Sequence, residues 1–141
     1  MIPGDVVVGF DGSPDARAAV AWAARHARAM GARLRVVHAV GLLEHAGMAG
    51  AVVVDGEEAV QVALTEGMDR AAVEWRVVDG DPCSALLREV ATAPSPSLLV
   101  VGSRGSGAHA GTLLGSTSLE LAEHASVPVT IVPPADAGPG A

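Results

Sequence analysis

Asp5-Val6-Val7-Val8-Gly9-Phe10-Asp11-Gly12-Ser13-Pro14-Asp15 packs a strand, a turn and a helix start into one short stretch. The β-branched run 5–10 favours an extended, buried strand. Ser13 then suits the N-cap, Pro14 the first helical position and Asp15 the positive end of the helix dipole. The helix expected over 13–30 carries a narrow apolar stripe of Ala16, Ala19, Val20, Ala23 and Ala27, and Gly31 supplies its stop. So many alanines let the helix approach a sheet closely.

The same alternation continues outward. Residues 33–40 read as a second strand, 41–56 as a long loop and 57–66 as a helix. Residues 72–78 read as a third strand, and Gly80-Asp81-Pro82 repeats the turn, cap and proline signature before a helix that runs to about Ala93, where Pro94 and Pro96 end it. Leu98-Leu99-Val100-Val101 is a fourth strand, apolar on both faces. A last helix is expected over 115–125 and a fifth strand over 127–132. Strands alternating with helices, with nearly continuous apolar strands, imply a parallel sheet covered on both faces. Right-handed crossovers make it a single-domain, doubly wound, Rossmann-like α/β sheet of five strands. The domain is expected to span 1–133, with 134–141 a disordered tail of Pro, Gly and Ala with one Asp.

Half of the 141 residues are hydrophobic, enough for a sizeable core. No apolar run approaches the roughly 18 residues that cross a bilayer, and residues 1–5 lack the basic head and apolar run of a secretory signal. The expected location is the cytoplasm. Nine basic against sixteen acidic side chains give a net charge of −7, and every basic residue is arginine. Without lysine there is no P-loop, which requires Gly-Lys-Ser/Thr. An acidic chain whose aromatics besides histidine are Phe10, Trp22 and Trp75 also offers little to nucleic acid, where phosphate neutralisation and stacking supply affinity.

In an open parallel sheet, ligands bind beyond the carboxyl ends of the strands, where the winding reverses. Strand one ends in Gly9-Phe10-Asp11-Gly12-Ser13, strand two in His38-Ala39-Val40, and strand four in Gly102-Ser103-Arg104-Gly105-Ser106-Gly107. Strand three ends in an ordinary turn. Strands one and four are therefore the polar, glycine-bearing pair, and if they are neighbours the crevice lies between them. Glycine after a buried strand allows close approach to the backbone, and successive glycines form an anion-binding nest. The loop then reaches Gly115-Ser116-Thr117-Ser118 at a helix N-terminus, where free amides and the dipole favour phosphate. The hydroxyls add donors, or a ligand for a metal ion bridging phosphates; Arg104 is the loop's only cation.

Competing readings stand beside these. Thr117-Ser118-Leu119-Glu120 fits a capping box, so the hydroxyls could simply cap the last helix. Asp11 could bond a ribose or adenine edge, or close an Asx-turn with Gly12 and Ser13. Gly105-Ser106-Gly107-Ala108-His109-Ala110 matches the dinucleotide fingerprint, yet it follows the fourth strand and no acidic residue closes a strand about 20 residues on, so NAD is rejected. His38 reads as a hydrogen-bonded core histidine, and the other histidines show no metal-ligand spacing. Glu57 and Glu58 offset a helix dipole and need no catalytic role. Cys83, the single cysteine, follows Asp81-Pro82 at a helix start that can lower a thiol pKa, but reads as an inert small residue.

The spacing Gly102-x2-Gly105-x9-Gly115-Ser116 resembles the ATP-binding signature G-x2-G-x9-G-(S/T) of universal stress proteins. The opening Val8-Gly9-Phe10-Asp11-Gly12-Ser13, the ending Pro128-Val129-Thr130-Ile131-Val132 and Gly80-Asp81-Pro82 are also similar to that family, and the resemblance covers 5–133. It implies a sheet ordered 3-2-1-4-5, of the adenine nucleotide alpha hydrolase-like kind, and homodimers paired through the last strand. It further implies that Gly9, Asp11 and the backbone near Ala39 meet adenine or ribose. Gly102, Arg104, Gly105, Ser106 and Gly107 would line the ribose and phosphate path, and Gly115, Ser116, Thr117 and Ser118 would hold the triphosphate of ATP, with or without Mg2+. Two departures are visible: the segment between strands two and three is short, and Ala39 stands where a larger aliphatic residue is common. The function implied is an ATP-binding regulatory dimer of stress survival. A slow ATPase, an interaction module that binds no nucleotide, and a site for cyclic AMP are the alternatives.

Overall fold

The computed structural model describes residues 4–41, 54–103 and 115–134. The elements run β1 (Asp5–Gly9), α1 (Pro14–Met30), β2 (Arg33–Val40), α2 (Gly56–Thr65), β3 (Val73–Asp79), α3 (Pro82–Thr92), β4 (Pro96–Gly102), α4 (Ser116–His124) and β5 (Val129–Val132). All strand pairs are parallel, in the order β3-β2-β1-β4-β5. The winding therefore reverses at β1, and β1 and β4 are neighbours, as the crevice argument requires.

Alternation along each strand divides the core between the two faces of the sheet. Val6, Val8, Leu34, Val36, Leu98 and Val100 pack under α1 and α2, while Val7, Val37, Leu99 and Val101 pack under α3 and α4. Ala19, Val20, Ala23, Ala24 and Ala27 of α1 are fully buried. Their small size brings the helix backbone close: a Cβ added to Gly102 would lie 2.9 Å from the carbonyl oxygen of Asp15.

Caps and prolines act largely as the sequence requires. The Ser13 side chain accepts the Ala16 amide, Asp55 accepts that of Glu57, and Asp81 accepts that of Ser84. Gly31 closes α1 in the left-handed region at φ 68°. α3 stops at Thr92 because Ala93 precedes Pro94 and turns extended, a position at which helical geometry is disfavoured. β4 then starts earlier than expected, at Pro96, the one place in a strand where a missing N–H does little harm. β5 starts later, at Val129, after Pro128. The loop expected over 41–56 ends at Asp55, the cap of α2; residues 42–53 lie outside the described residues, as do 135–141 of the expected tail.

The sheet is less uniformly apolar than expected. On the α3 side of the β2–β3 edge, Arg76 forks onto the buried Glu89, and Arg35 pairs with Glu74 at 3.1 Å. Charge at an edge strand discourages pairing with another chain. No helix among the described residues is long and apolar enough to cross a membrane.

Candidate functional site

Phe10, which follows β1, is fixed to β2 twice. Its amide donates to the Val37 carbonyl at 2.9 Å, and its carbonyl lies 3.0 Å from Nδ1 of the buried His38. A carbonyl can only accept, so Nδ1 of His38 carries the proton in this contact. The His38 ring stacks on Trp75, whose centroid is 6.2 Å away, and Phe10 meets Trp75 edge to face. Two of the chain's few aromatics, Phe10 and Trp75, thus converge with His38 behind one strand end.

The chain next turns through Asp11-Gly12-Ser13. The Ser13 amide donates to Oδ1 of Asp11 at 3.0 Å, so the Asx-turn forms. Gly12 takes φ 84°, which glycine adopts without strain. This turn, the ends of β2 and β4, the start of α3 and the first turn of α4 enclose a cleft of about 330 Å³.

α4 differs from the other described helices at its N-terminus. Gly115 is its cap, and no side chain among the described residues accepts an amide there. The expected capping box is not made, because Gly115 is the cap and Thr117 lies inside the first turn; Ser118 donates its hydroxyl to the Gly102 carbonyl at 2.8 Å, with the Ser103 carbonyl at 3.4 Å. The Gly115 amide also donates to the Ser103 carbonyl. The first turn of α4 is thereby fastened to the end of β4, and its positive dipole end, which no described side chain caps, lies at the cleft.

Gly9, Asp11, Ala39, Gly102, Gly115, Ser116, Thr117 and Ser118 all line this cleft. Arg104, Gly105, Ser106 and Gly107 lie outside the described residues. Two of the glycines have packing reasons of their own, Gly102 against Asp15 and Gly9 against Leu86, whose Cδ1 would sit 3.0 Å from an added Cβ. Sequence reading missed His38, Pro82 and Leu86 as cleft walls. His38 was legible as a core residue, but only the stagger of β2 against β1 opens it to the cleft. Pro82 and Leu86 follow the turn after β3, which carries no local sign of a site. Ser103 is buried, and its hydroxyl has no partner among the described residues.

The cleft offers little formal charge. Among its described lining residues Asp11 is the carboxylate and there is no arginine. Among the described residues no three His, Cys, Asp or Glu side chains are grouped to hold a metal ion. Cys83 lies at the start of α3, yet burial pushes its thiol up, and the charge of Glu120 adds to the shift. The dipole does not win there.

The model of the universal stress protein family matches residues 4–133. The chain belongs to the universal stress protein family. Universal stress protein Rv1996 of Mycobacterium tuberculosis is 35% identical over 156 residues, an alignment covering 91% of this chain and 47% of that protein. Rv2623 of the same organism is 35% identical over 143 residues, covering 90% and 46%. The chain thus spans about half the length of these curated relatives. Among solved structures, a universal stress protein in complex with cAMP superimposes with a TM-score of 0.71 at 32% identity, covering 92% of this chain and 95% of that one. One from Archaeoglobus fulgidus in complex with dAMP gives 0.69 at 22% identity, covering 94% and 99%, and shows the shared fold.

Proposed function

We propose that this universal stress protein domain binds an adenine nucleotide, ATP in the first instance, in the cleft between β1 and β4. The observation that carries the reading is the N-terminus of α4, which no described side chain caps, lining the same cleft as the Asp11 turn. Amides of the first helical turn, with the Ser116 and Thr117 hydroxyls, would take phosphate oxygens. Ser118 has one hydroxyl proton, already donated to Gly102, so its part is to place α4. Asp11 and the β2 end near Ala39 would meet ribose and base. With so few cations, a triphosphate needs Mg2+ between its oxygens, and Ser116 or Thr117 could complete its shell. As a regulatory module, the chain would pair with a second copy through β5, whose Val129, Thr130 and Ile131 are only partly buried.

A second reading, cyclic AMP, is favoured by the charge. A single phosphodiester charge suits one helix N-terminus in a cleft whose described lining includes no arginine, and a relative at 32% identity is in complex with cAMP. Mass spectrometry of whatever the denatured protein releases, followed by calorimetric titration with ATP-Mg2+ and with cAMP, tests both. ATP at about 100 times its Kd should stabilise the fold by about 2.7 kcal/mol. No released nucleotide and no heat with either ligand would sink the proposal. ATP turnover lost in Asp11→Asn would move it to the slow-ATPase alternative.

A further inference from the structure

Arg17 lies one turn into α1, away from the cleft lining, and its Nη1 makes two bonds at 2.9 Å. One goes to the carbonyl of Gly12 and the other to Oε1 of Glu58 in the first turn of α2. The first bond is not part of the helix, because the Arg17 amide already pairs with the Ser13 carbonyl, as the α-helical pattern requires. The Gly12 carbonyl lies outside that pattern and would otherwise face water.

The peptide unit joining Gly12 to Ser13 is therefore held at both ends. Its carbonyl accepts from Arg17, and its amide donates to Oδ1 of Asp11. The unit is planar, so fixing the direction of one dipole fixes the other. Gly12, at φ 84°, lacks a side chain to restrain rotation of that plane. Arg17 supplies the missing restraint, and Glu58 holds the guanidinium in place. Val54, in the segment that leads into α2, stands 3.7 Å from where a Gly12 Cβ would be, so that segment also backs the turn.

We propose that Arg17, oriented by Glu58, is a positioning residue for the cleft: through the Gly12–Ser13 peptide it aims the Asp11 carboxylate. The crossover between β2 and β3 thereby sets the nucleoside end of the site without touching the ligand. The consequence for affinity rests on the reading of the cleft as an adenine-nucleotide site.

The test combines amide exchange of the ligand-free protein with ATP titration. In Arg17→Met, exchange of the Ser13 amide should speed up about tenfold and ATP affinity should fall about tenfold, the scale of one charge-assisted hydrogen bond. The melting temperature should fall by about 4–6 °C, the global counterpart of that one bond, with little added by the half-exposed Arg17–Glu58 pair. Arg17→Lys should recover most of both losses, and Glu58→Gln should fall between. Combined with Asp11→Ala, Arg17→Met should cost no further affinity, since it acts through Asp11. Unchanged Ser13 exchange, or additive losses in the double variant, would overturn the proposal. Faster Ser13 exchange in a protein whose wild type binds neither ATP nor cAMP would instead refute the nucleotide reading and leave the positioning of Asp11 standing.

Discussion

Ser118 donates its hydroxyl to the carbonyl of Gly102 at 2.8 Å, and this bond sets the first turn of α4 against the end of β4. Ser103, one residue beyond Gly102, has an equally buried hydroxyl with no partner among the described residues. The two serines share a side chain and differ in what it does.

Ser118→Ala leaves the half-buried Gly102 carbonyl without its hydroxyl donor and should destabilise the fold by about 1–1.5 kcal/mol. Ser103→Ala removes a hydroxyl that pairs with nothing described and should cost less than about 0.5 kcal/mol. Urea midpoints compare the pair directly. Equal destabilisation would contradict the bonding described.

Gly102→Ala places a Cβ within 3.0 Å of backbone atoms of Asp15, and neither α1 nor β4 can yield without disturbing the core. A loss of about 2–3 kcal/mol is expected, the scale of overpacking. Gly31→Ala meets no atom within 4 Å but forces a side chain into φ 68°. That strain should cost about 1 kcal/mol. Thermal melts that rank Gly31→Ala as the worse variant would reverse the assignment of causes.

Asp81 caps α3 by accepting the Ser84 amide, a bond that holds its carboxyl below the ordinary value of 3.8; the Ser84 side chain adds to the shift. A native value below the unfolded one means that the unfolded chain binds the proton first. The stabilisation is thus complete above the ordinary value and disappears as pH falls through the native one. The melting-temperature gap between wild type and Asp81→Ala should be constant from about pH 7 to 5 and narrow below about pH 4. A gap independent of pH would show that the cap acts without its charge.

Burial first, and the Glu120 charge second, keep Cys83 protonated. Alkylation of the native protein at about pH 8 should run at least about tenfold slower than for an exposed cysteine, and urea should abolish the difference. A native rate equal to that of the unfolded chain would mean that α3 opens readily at its start.

Much of this was legible because it is local. Ser13, Asp81 and Gly31 act on amides or carbonyls within one turn, so their residue types suffice to place the helix ends. Val6 and Val8 against Val7 announce two buried faces, because side chains alternate along a strand. The cleft was legible in part, as glycine and hydroxyl groups gathered at two strand ends. His38 was read as a core residue although it adjoins Ala39 at a marked strand end, and Pro82 and Leu86 escaped because nothing near them in the chain marks a cavity.

The sequence by itself therefore determined the succession of strands and helices, their caps and their buried faces, through forces that act over a few residues. Tertiary structure decided which alternative each bifunctional group took. Ser118 could cap its own helix or reach Gly102, and the closeness of β4 settled it. Cys83 could feel the dipole of α3 or the desolvation of the core, and the packing of α4 settled that. Arg17 follows Gly12 by five residues in the chain, but Glu58 reaches it only because α2 packs against α1. A side chain's local options are written in the sequence; the choice among them belongs to whatever the fold brings within hydrogen-bonding distance.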